Sequence, residues 1–315
     1  MAEPEVMVYL MTGFLDSGKT QFLKFTLEQD YFQIDGKTLL ILCEEGEEEY
    51  HPQEMLKYGV VIETVEDQED LTEEWLEEMN RKHQPERVVI EYNGMWKVSD
   101  FEAMKLPQGW GIEQKLTTVD ASTFQMYLTN LKPLFVEMVR GSEMVLFNRC
   151  TDKKPLPGYR RSVKVVSPQA EVIFEDEQGE VENIFEDDVP YDLDAPVIEV
   201  RREDYGIWYV DVMDNPDRYK GKTVEFTARV LKPKGFPSKV FLPGRMAMTC
   251  CADDTTFLGY ICKSAYAPKL KPGQWVKVRA KIGFGRVSIY RGVGPVLEAE
   301  NIELAEPIEE LVYFN

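Results

Sequence analysis

Eight consecutive residues constrain this chain more than any others. Gly13-Phe14-Leu15-Asp16-Ser17-Gly18-Lys19-Thr20 satisfies the pattern G-x-x-x-x-G-K-[ST] at each fixed position. The apolar run Val6–Met11 before it reads as a buried strand, and Gln21–Leu27 after it has apolar residues at helical spacing. A strand feeding a glycine loop that opens a helix turns backbone N–H groups toward a bound phosphate. In that setting Gly13, Asp16, Ser17 and Gly18 belong to the cradle. Lys19 reaches the β- and γ-phosphates, and the Thr20 hydroxyl is a ligand for Mg²⁺. A mere glycine-bearing turn with an incidental lysine would not need the flanking strand and helix.

The rest of the first half repeats the alternation. Thr38–Leu42, Arg87–Glu91, Lys115–Val119 and Met144–Phe147 are apolar runs of strand length, with helical patterns over Leu71–His83 and Phe124–Val139. Continuous apolar strands separated by helices predict an α/β domain with a mainly parallel sheet covered on both faces. A hairpin-like piece, Val172–Phe174 and then Val181–Phe185, closes this half, and Asp187, Asp188, Pro190 and Pro196 read as a linker. This places the first domain at 1–196 and the second at 197–315. After the linker the period changes to two, over Thr223–Val230, Gln274–Ile282 and Val287–Tyr290, with Gly/Pro/Asn punctuation. Short alternating strands predict a smaller all-β barrel or sandwich.

Composition excludes several classes. The chain of 315 residues is 43% hydrophobic and 11% aromatic, which is globular. No apolar run approaches the ~18 residues of a membrane span. The acidic N-terminus lacks the features of a signal peptide, and five cysteines without paired spacing point to a reducing compartment. The expected location is the cytoplasm. The net charge of −20 divides into −23 for residues 1–196 and +3 from Val197 onward. So acidic a half repels nucleic acid.

Three further segments fall where a P-loop protein needs them. Glu91 ends a strand in the Walker-B position, where a carboxylate holds Mg²⁺ directly or through water. Gly94 brings a backbone N–H toward the γ-phosphate. Asn148-Arg149 follows a strand where such folds read the base. Together these segments carry a resemblance to the CobW-like GTPases, P-loop proteins linked to metal handling and cobalamin synthesis. Gly13–Thr20 resembles their Gly-Phe-Leu-Gly-Ser-Gly-Lys-Thr loop, Cys43-Glu44-Glu45-Gly46-Glu47 their Asn-Glu-Phe-Gly-Glu, Ile90–Gly94 their Ile-Glu-x-x-Gly, and Thr118–Ala121 their Val-Val-Asp-Ala. The resemblance covers about residues 5–175 and implies GTP, or ATP, with Mg²⁺.

Three departures matter. The guanine-reading Asn-Lys-x-Asp is replaced by Asn148-Arg149-Cys150-Thr151, with Asp152 one position late, so GTP over ATP becomes a preference. The family's Cys-x-Cys-Cys metal motif is missing; Val60–Glu66 stands there instead. Asp16 replaces a loop glycine, and its carboxylate beside the phosphates weakens anion binding. Only His51 and His83 exist, which argues against histidine-based catalysis; Cys43, Glu44, Glu47 and His51 form a substitute metal set at most, weaker than the reading of an exposed acidic loop.

In the second half, Arg245…Cys250-Cys251-Ala252-Asp253-Asp254 resembles a segment in the C-terminal domain of a bacterial family of permease-associated proteins, whose domain is OB-like. Cys250, Cys251, Cys262 and Asp253 are candidate zinc ligands there. Core-packed cysteines are the stronger alternative.

The combined expectation is a slow GTP-hydrolysing switch or chaperone. Lys19, Thr20 and Glu91 carry the chemistry, and an OB-like domain engages a protein partner, a metal cargo or a second copy of the chain. Glu44 and Glu47 are candidates for orienting the attacking water. The rival is a binding module for single-stranded nucleic acid or protein with a degenerate nucleotide domain. It rests on Lys232, Lys234, Lys239, Arg245, Lys277, Arg279, Lys281, Arg286 and Arg291 beside Phe236, Phe241, Trp275 and Phe284. A non-hydrolysing nucleotide sensor is the third reading.

Overall fold

The computed structural model describes residues 4–44, 46, 48–181, 184, 189–249, 254–287, 290 and 292–313. The chain divides into two compact units. The first comprises Met1–Leu156 with Ala170–Ile184, and the second Pro157–Gln169 with Phe185–Asn315.

The first unit is built on one sheet. Its strands are β1 (Val6–Thr12), β2 (Thr38–Leu42), β3 (Val60–Thr64), β4 (Arg87–Glu91), β5 (Trp110–Asp120), β6 (Met144–Asn148) and β7 (Glu171–Asp176). They lie in the order β3-β2-β4-β1-β5-β6-β7, all parallel, with the two-residue β8 (Gly179–Glu180) antiparallel to β7. The helices are α1 (Lys19–Glu28), α2 (Pro52–Met55), α3 (Glu73–His83), α4 (Val98–Glu102), α5 (Phe124–Asn130) and α6 (Lys132–Val139). Met11, Leu40, Val89 and Leu116 from four strands pack with Leu23 and Leu27 of α1. That packing fixes the first helix against the strand that feeds it.

Local chemistry accounts for the differences from the sequence pattern. α3 starts at Glu73 rather than Leu71 because the Thr72 hydroxyl accepts from the Trp75 N–H at 3.1 Å. Its acidic first turn and basic last turn oppose the helix dipole. The single helix expected over 124–139 is two, separated at Leu131. Pro133 has no N–H to continue the ladder and fits only at the start of a new helix. The expected hairpin forms as β7 turning into β8, with the Val181 N–H on Phe174 O at 2.7 Å; Glu182, Asn183 and Phe185 fall outside the described residues. So do Asp187 and Asp188.

The second unit holds α7 (Leu156–Val166, from Pro157 on), α8 (Tyr205–Asp214), α9 (Pro216–Tyr219), and strands β9 (Ile198–Glu199), β10 (Thr223–Leu231), β11 (Val240–Met248), β12 (Thr255–Gly259), β13 (Ile261–Lys263), β14 (Trp275–Val287) and β15 (Gly292–Leu304). Five strands close into a ring. β10 pairs with β14, β14 with β15, β15 with β13, β13 with β11, and β11 returns to β10 through Arg229–Leu231. Alternate residues point inward, as the period of two requires: Val224, Phe226, Ala228 and Val230 from β10, and Val276, Val278, Ala280 and Ile282 from β14. The strand expected over 287–290 is described only at its ends. Val287 ends β14, and Ser288 and Ile289 lie outside the described residues.

The unit is not all-β. α8 is apolar on most of its surface, and Trp208 of that helix is fully buried among Tyr205, Phe226 and Tyr260. α7 belongs to this core as well, with Val165 packed into it and Arg160 Nε 2.6 Å from Asp214. Replacing Trp208 by Ala is expected to destabilise this unit by about 3–5 kcal/mol. Chemical denaturation followed by tryptophan fluorescence and circular dichroism measures it, and a loss under 1 kcal/mol would contradict the packing.

Candidate functional site

Parallel strands put their carboxyl ends along one edge of a sheet, and here that edge collects the polar residues. In register, Met11 lies beside Glu91, Thr12 beside Thr117, and Asp120 beside Asn148. The loop Gly13–Gly18 leaves β1 between the ends of β4 and β5. Gly13 has φ 146°, and a Cβ there would lie 2.5 Å from both Ser17 Oγ and Thr118 O. Asp16 sits at φ 58°, a left-handed geometry that aspartate tolerates better than most residues. Its exposed side chain lines the same cleft as Lys19 and Thr20.

The lysine is the centre of the arrangement. Lys19 is 3% exposed, and its Nζ donates to Gly13 O at 3.0 Å and Phe14 O at 2.9 Å. A third bond, at 2.5 Å, goes to Glu44 Oε2. The other oxygen of Glu44 accepts from the Gly94 N–H at 3.3 Å. Gly94 has no room for a side chain, since a Cβ would lie 2.5 Å from Gly13 O and 2.8 Å from Phe14 Cα. The loop after β4 is therefore pressed onto the glycine loop.

A second carboxylate stands beside the first. The Thr20 hydroxyl donates to Glu91 Oε1 at 2.7 Å, and the Tyr50 hydroxyl donates to Glu91 Oε2 at 2.6 Å. Burial pushes the Glu91 carboxyl up; the bonds from Tyr50 and Thr20 and the Lys19 charge offset this only in part. Burial also pushes the Tyr50 phenol far up, so it remains a donor. Thr20 and Glu91 converge as hard oxygen donors, a set that suits Mg²⁺.

Other expected residues make contacts of their own along the same edge. The Ser17 hydroxyl faces the sheet, 2.9 Å from Thr118 Oγ1, and its N–H closes a turn onto Phe14 O. Asn148, expected to read a base, uses its Nδ2 on Ser17 O at 2.7 Å and so braces the glycine loop. Its Oδ1 is buried without a partner among the described residues. Arg149 donates to Asp16 O at 2.8 Å and to Asp120 Oδ2 at 2.6 Å. Burial raises the Asp120 carboxyl, and the bonds from Ser122 and Arg149 more than offset it, holding it below the usual carboxylate range. Tyr50 carried no motif signal, and the Asp120–Arg149 bond joins two motif segments whose contact the sequence did not announce.

The candidate Cys and His metal ligands that are described do not converge. Among the described residues no group of three or more His, Cys, Asp or Glu converges on a metal-sized gap. Cys43 is buried, with its thiol pushed far up mainly by burial, while His51 is exposed, and Glu47 lies outside the described residues. Cys262 packs in the barrel core, where burial pushes its thiol up to about 12, so it is poorly suited to act as a thiolate ligand. Cys250, Cys251 and Asp253 lie outside the described residues.

Several residues of the rival nucleic-acid surface are engaged elsewhere, while Lys234, Lys239, Lys281 and Arg286 are exposed. Phe241 is fully buried, and Phe236 and Phe284 pack against the core. Lys277 and Arg279 both pair with Glu225, and Arg245 is buried against the carbonyls of Arg202 and Glu310.

A phosphate-binding loop on the central strand of a parallel sheet, with a carboxylate ending the neighbouring strand, defines a P-loop nucleotide-binding protein. The chain belongs to the CobW/HypB/UreG family: residues 7–174, more than half of it, match that family's nucleotide-binding domain. Residues 177–314 match the DUF1980 C-terminal domain. Among solved structures, the hydrogenase maturation factor HypB from Archaeoglobus fulgidus is similar at 15% identity, over 55% of this chain and 83% of that chain, with a TM-score of 0.40. The Zn(II)-bound YjiA GTPase from E. coli is similar at 16% identity, over 82% of this chain and 89% of that chain, with a TM-score of 0.43. No curated protein matches the chain significantly in sequence. Among the described residues no helix is long and apolar enough to cross a membrane.

Gly94→Ala should force the two loops apart and cost about 1–3 kcal/mol. Urea unfolding reads the loss, and wild-type stability in this variant would mean that the loops are not in contact.

Proposed function

We propose that the chain is a slow, Mg²⁺-dependent GTPase switch of the metal-handling kind, whose barrel domain engages a protein partner or a metal cargo. The observation that carries this reading is the convergence of Lys19, Thr20, Glu91 and the Gly94 N–H at the carboxyl ends of β1 and β4. Lys19 and the loop amides are the groups that would bind the phosphates and stabilise charge building on them as water attacks. Thr20 and Glu91 would hold Mg²⁺, which when bound neutralises charge on the phosphate oxygens. Tyr50 orients Glu91 for that task.

Guanine is favoured by family membership, while Arg149 and Asn148 are engaged with the glycine loop. The five-strand ring supports an OB-like reading of the second domain, and a protein surface suits it better than nucleic acid, given the burial of Phe241 and the pairing of Lys277 and Arg279 with Glu225. The described cysteines, Cys43, Cys150 and Cys262, are all buried free thiols, which fits a reducing compartment such as the cytoplasm.

Phosphate release from Mg-GTP, followed under single-turnover conditions, tests the proposal. Slow turnover is expected from the native chain, and Lys19→Ala should lower it by roughly 10²-fold or more. Equal rates in the two proteins would overturn the assignment.

A further inference from the structure

The Glu44 side chain does something the nucleotide reading alone does not require. Its two carboxylate oxygens engage Lys19 Nζ at 2.5 Å and the Gly94 N–H at 3.3 Å. These are the two donors that a P-loop protein turns toward the terminal phosphate of a triphosphate. The ammonium of Lys19 is buried, and a buried charge without a counter-charge is strongly destabilising. Glu44 supplies that counter-charge when no phosphate is present. The cleft left beside it, bounded by Asp16, Lys19, Thr20, Glu44 and Arg149, measures about 120 Å³, well below the ~300 Å³ of an ordinary small-ligand pocket.

We propose that Glu44 holds the place of the γ-phosphate and thereby sets a preference for the nucleoside diphosphate over the triphosphate. The inference rests on the nucleotide-binding reading above. A diphosphate can reach Lys19 with its β-phosphate while Glu44 keeps its bond to the Gly94 N–H, so it need not displace the carboxylate. A triphosphate must expel the carboxylate before its own oxygens reach Lys19 and Gly94, because two anions cannot share those donors without strong repulsion. Cys43, the residue before Glu44, is tied to the loop after β4 by the Asn93 Nδ2 bond to its carbonyl at 3.1 Å. Tyr50, six residues on, is tied to Glu91. Expulsion of Glu44 would thus be felt at the Asn93 anchor, which gives the third phosphate a direct mechanical consequence.

Equilibrium titration of the full chain with fluorescent GDP and with a fluorescent β,γ-imido GTP analogue, both with Mg²⁺, tests the inference. The native protein should bind the diphosphate tighter. Glu44→Gln, which keeps the shape and removes the charge, should tighten the triphosphate analogue about tenfold while changing the diphosphate less than twofold. Glu44→Asp, too short to span both donors, should fall between. Diphosphate binding with an unchanged preference in Glu44→Gln would overturn this inference alone. If neither nucleotide binds to the native chain or the variants at millimolar concentration, the nucleotide reading falls and this inference falls with it.

Discussion

A buried ammonium must be answered by an anion, and that requirement organises the first domain. Lys19 has two backbone carbonyls, Gly13 O and Phe14 O, to hold its position, but carbonyls carry no net charge. Two unit charges about 4 Å apart attract by ~4 kcal/mol at an effective dielectric near 20. The Glu44 carboxylate provides such an interaction from within the chain. The same geometry accepts phosphate in its place, so stability and ligand binding draw on one seat. Glu91, a second buried carboxylate a few residues away in space, is kept from competing by its own donors, Thr20 and Tyr50.

The sheet order makes this seat unavoidable. β1 lies between β4 and β5, so the loop leaving β1 meets the ends of both strands. Ligands in open α/β sheets sit outside the carboxyl ends of the strands, where such connections diverge. Gly94 allows the loop after β4 to touch the glycine loop; Thr118 and Asn148 brace it through Ser17. Arg149 adds a clasp from Asp120 to the Asp16 carbonyl. The left-handed geometry at Asp16 is therefore supported from outside the loop as well as by its residue type.

Features confined to a few neighbouring residues were legible in the sequence. The glycine loop, the strand ending in Glu91 and the alternation of β10 and β14 all carry their determinants locally. The Glu44–Lys19 and Tyr50–Glu91 contacts span 25 and 41 residues and leave no periodic trace. Closure of the barrel rests on a three-residue pairing of β10 with β11, too short to announce itself. The helix α8 was hidden because it is apolar nearly all round and lacks an amphipathic stripe. Val60–Thr64 lacks the family's cysteines, but its β-branched run makes the edge strand β3. The break before Pro133 was readable from the proline itself.

The central claim is that Lys19 and the Gly94 N–H form one anion seat, filled by Glu44 until a nucleoside triphosphate supplies its terminal phosphate. A crystal structure of the full chain with Mg²⁺ and the β,γ-imido analogue of GTP addresses it most directly. The account predicts terminal phosphate oxygens on Lys19 Nζ and Gly94 N, the metal on Thr20, and the Glu44 carboxylate withdrawn from both donors. A bound nucleotide with Glu44 still seated on Lys19, or phosphates lodged away from the glycine loop, would contradict it.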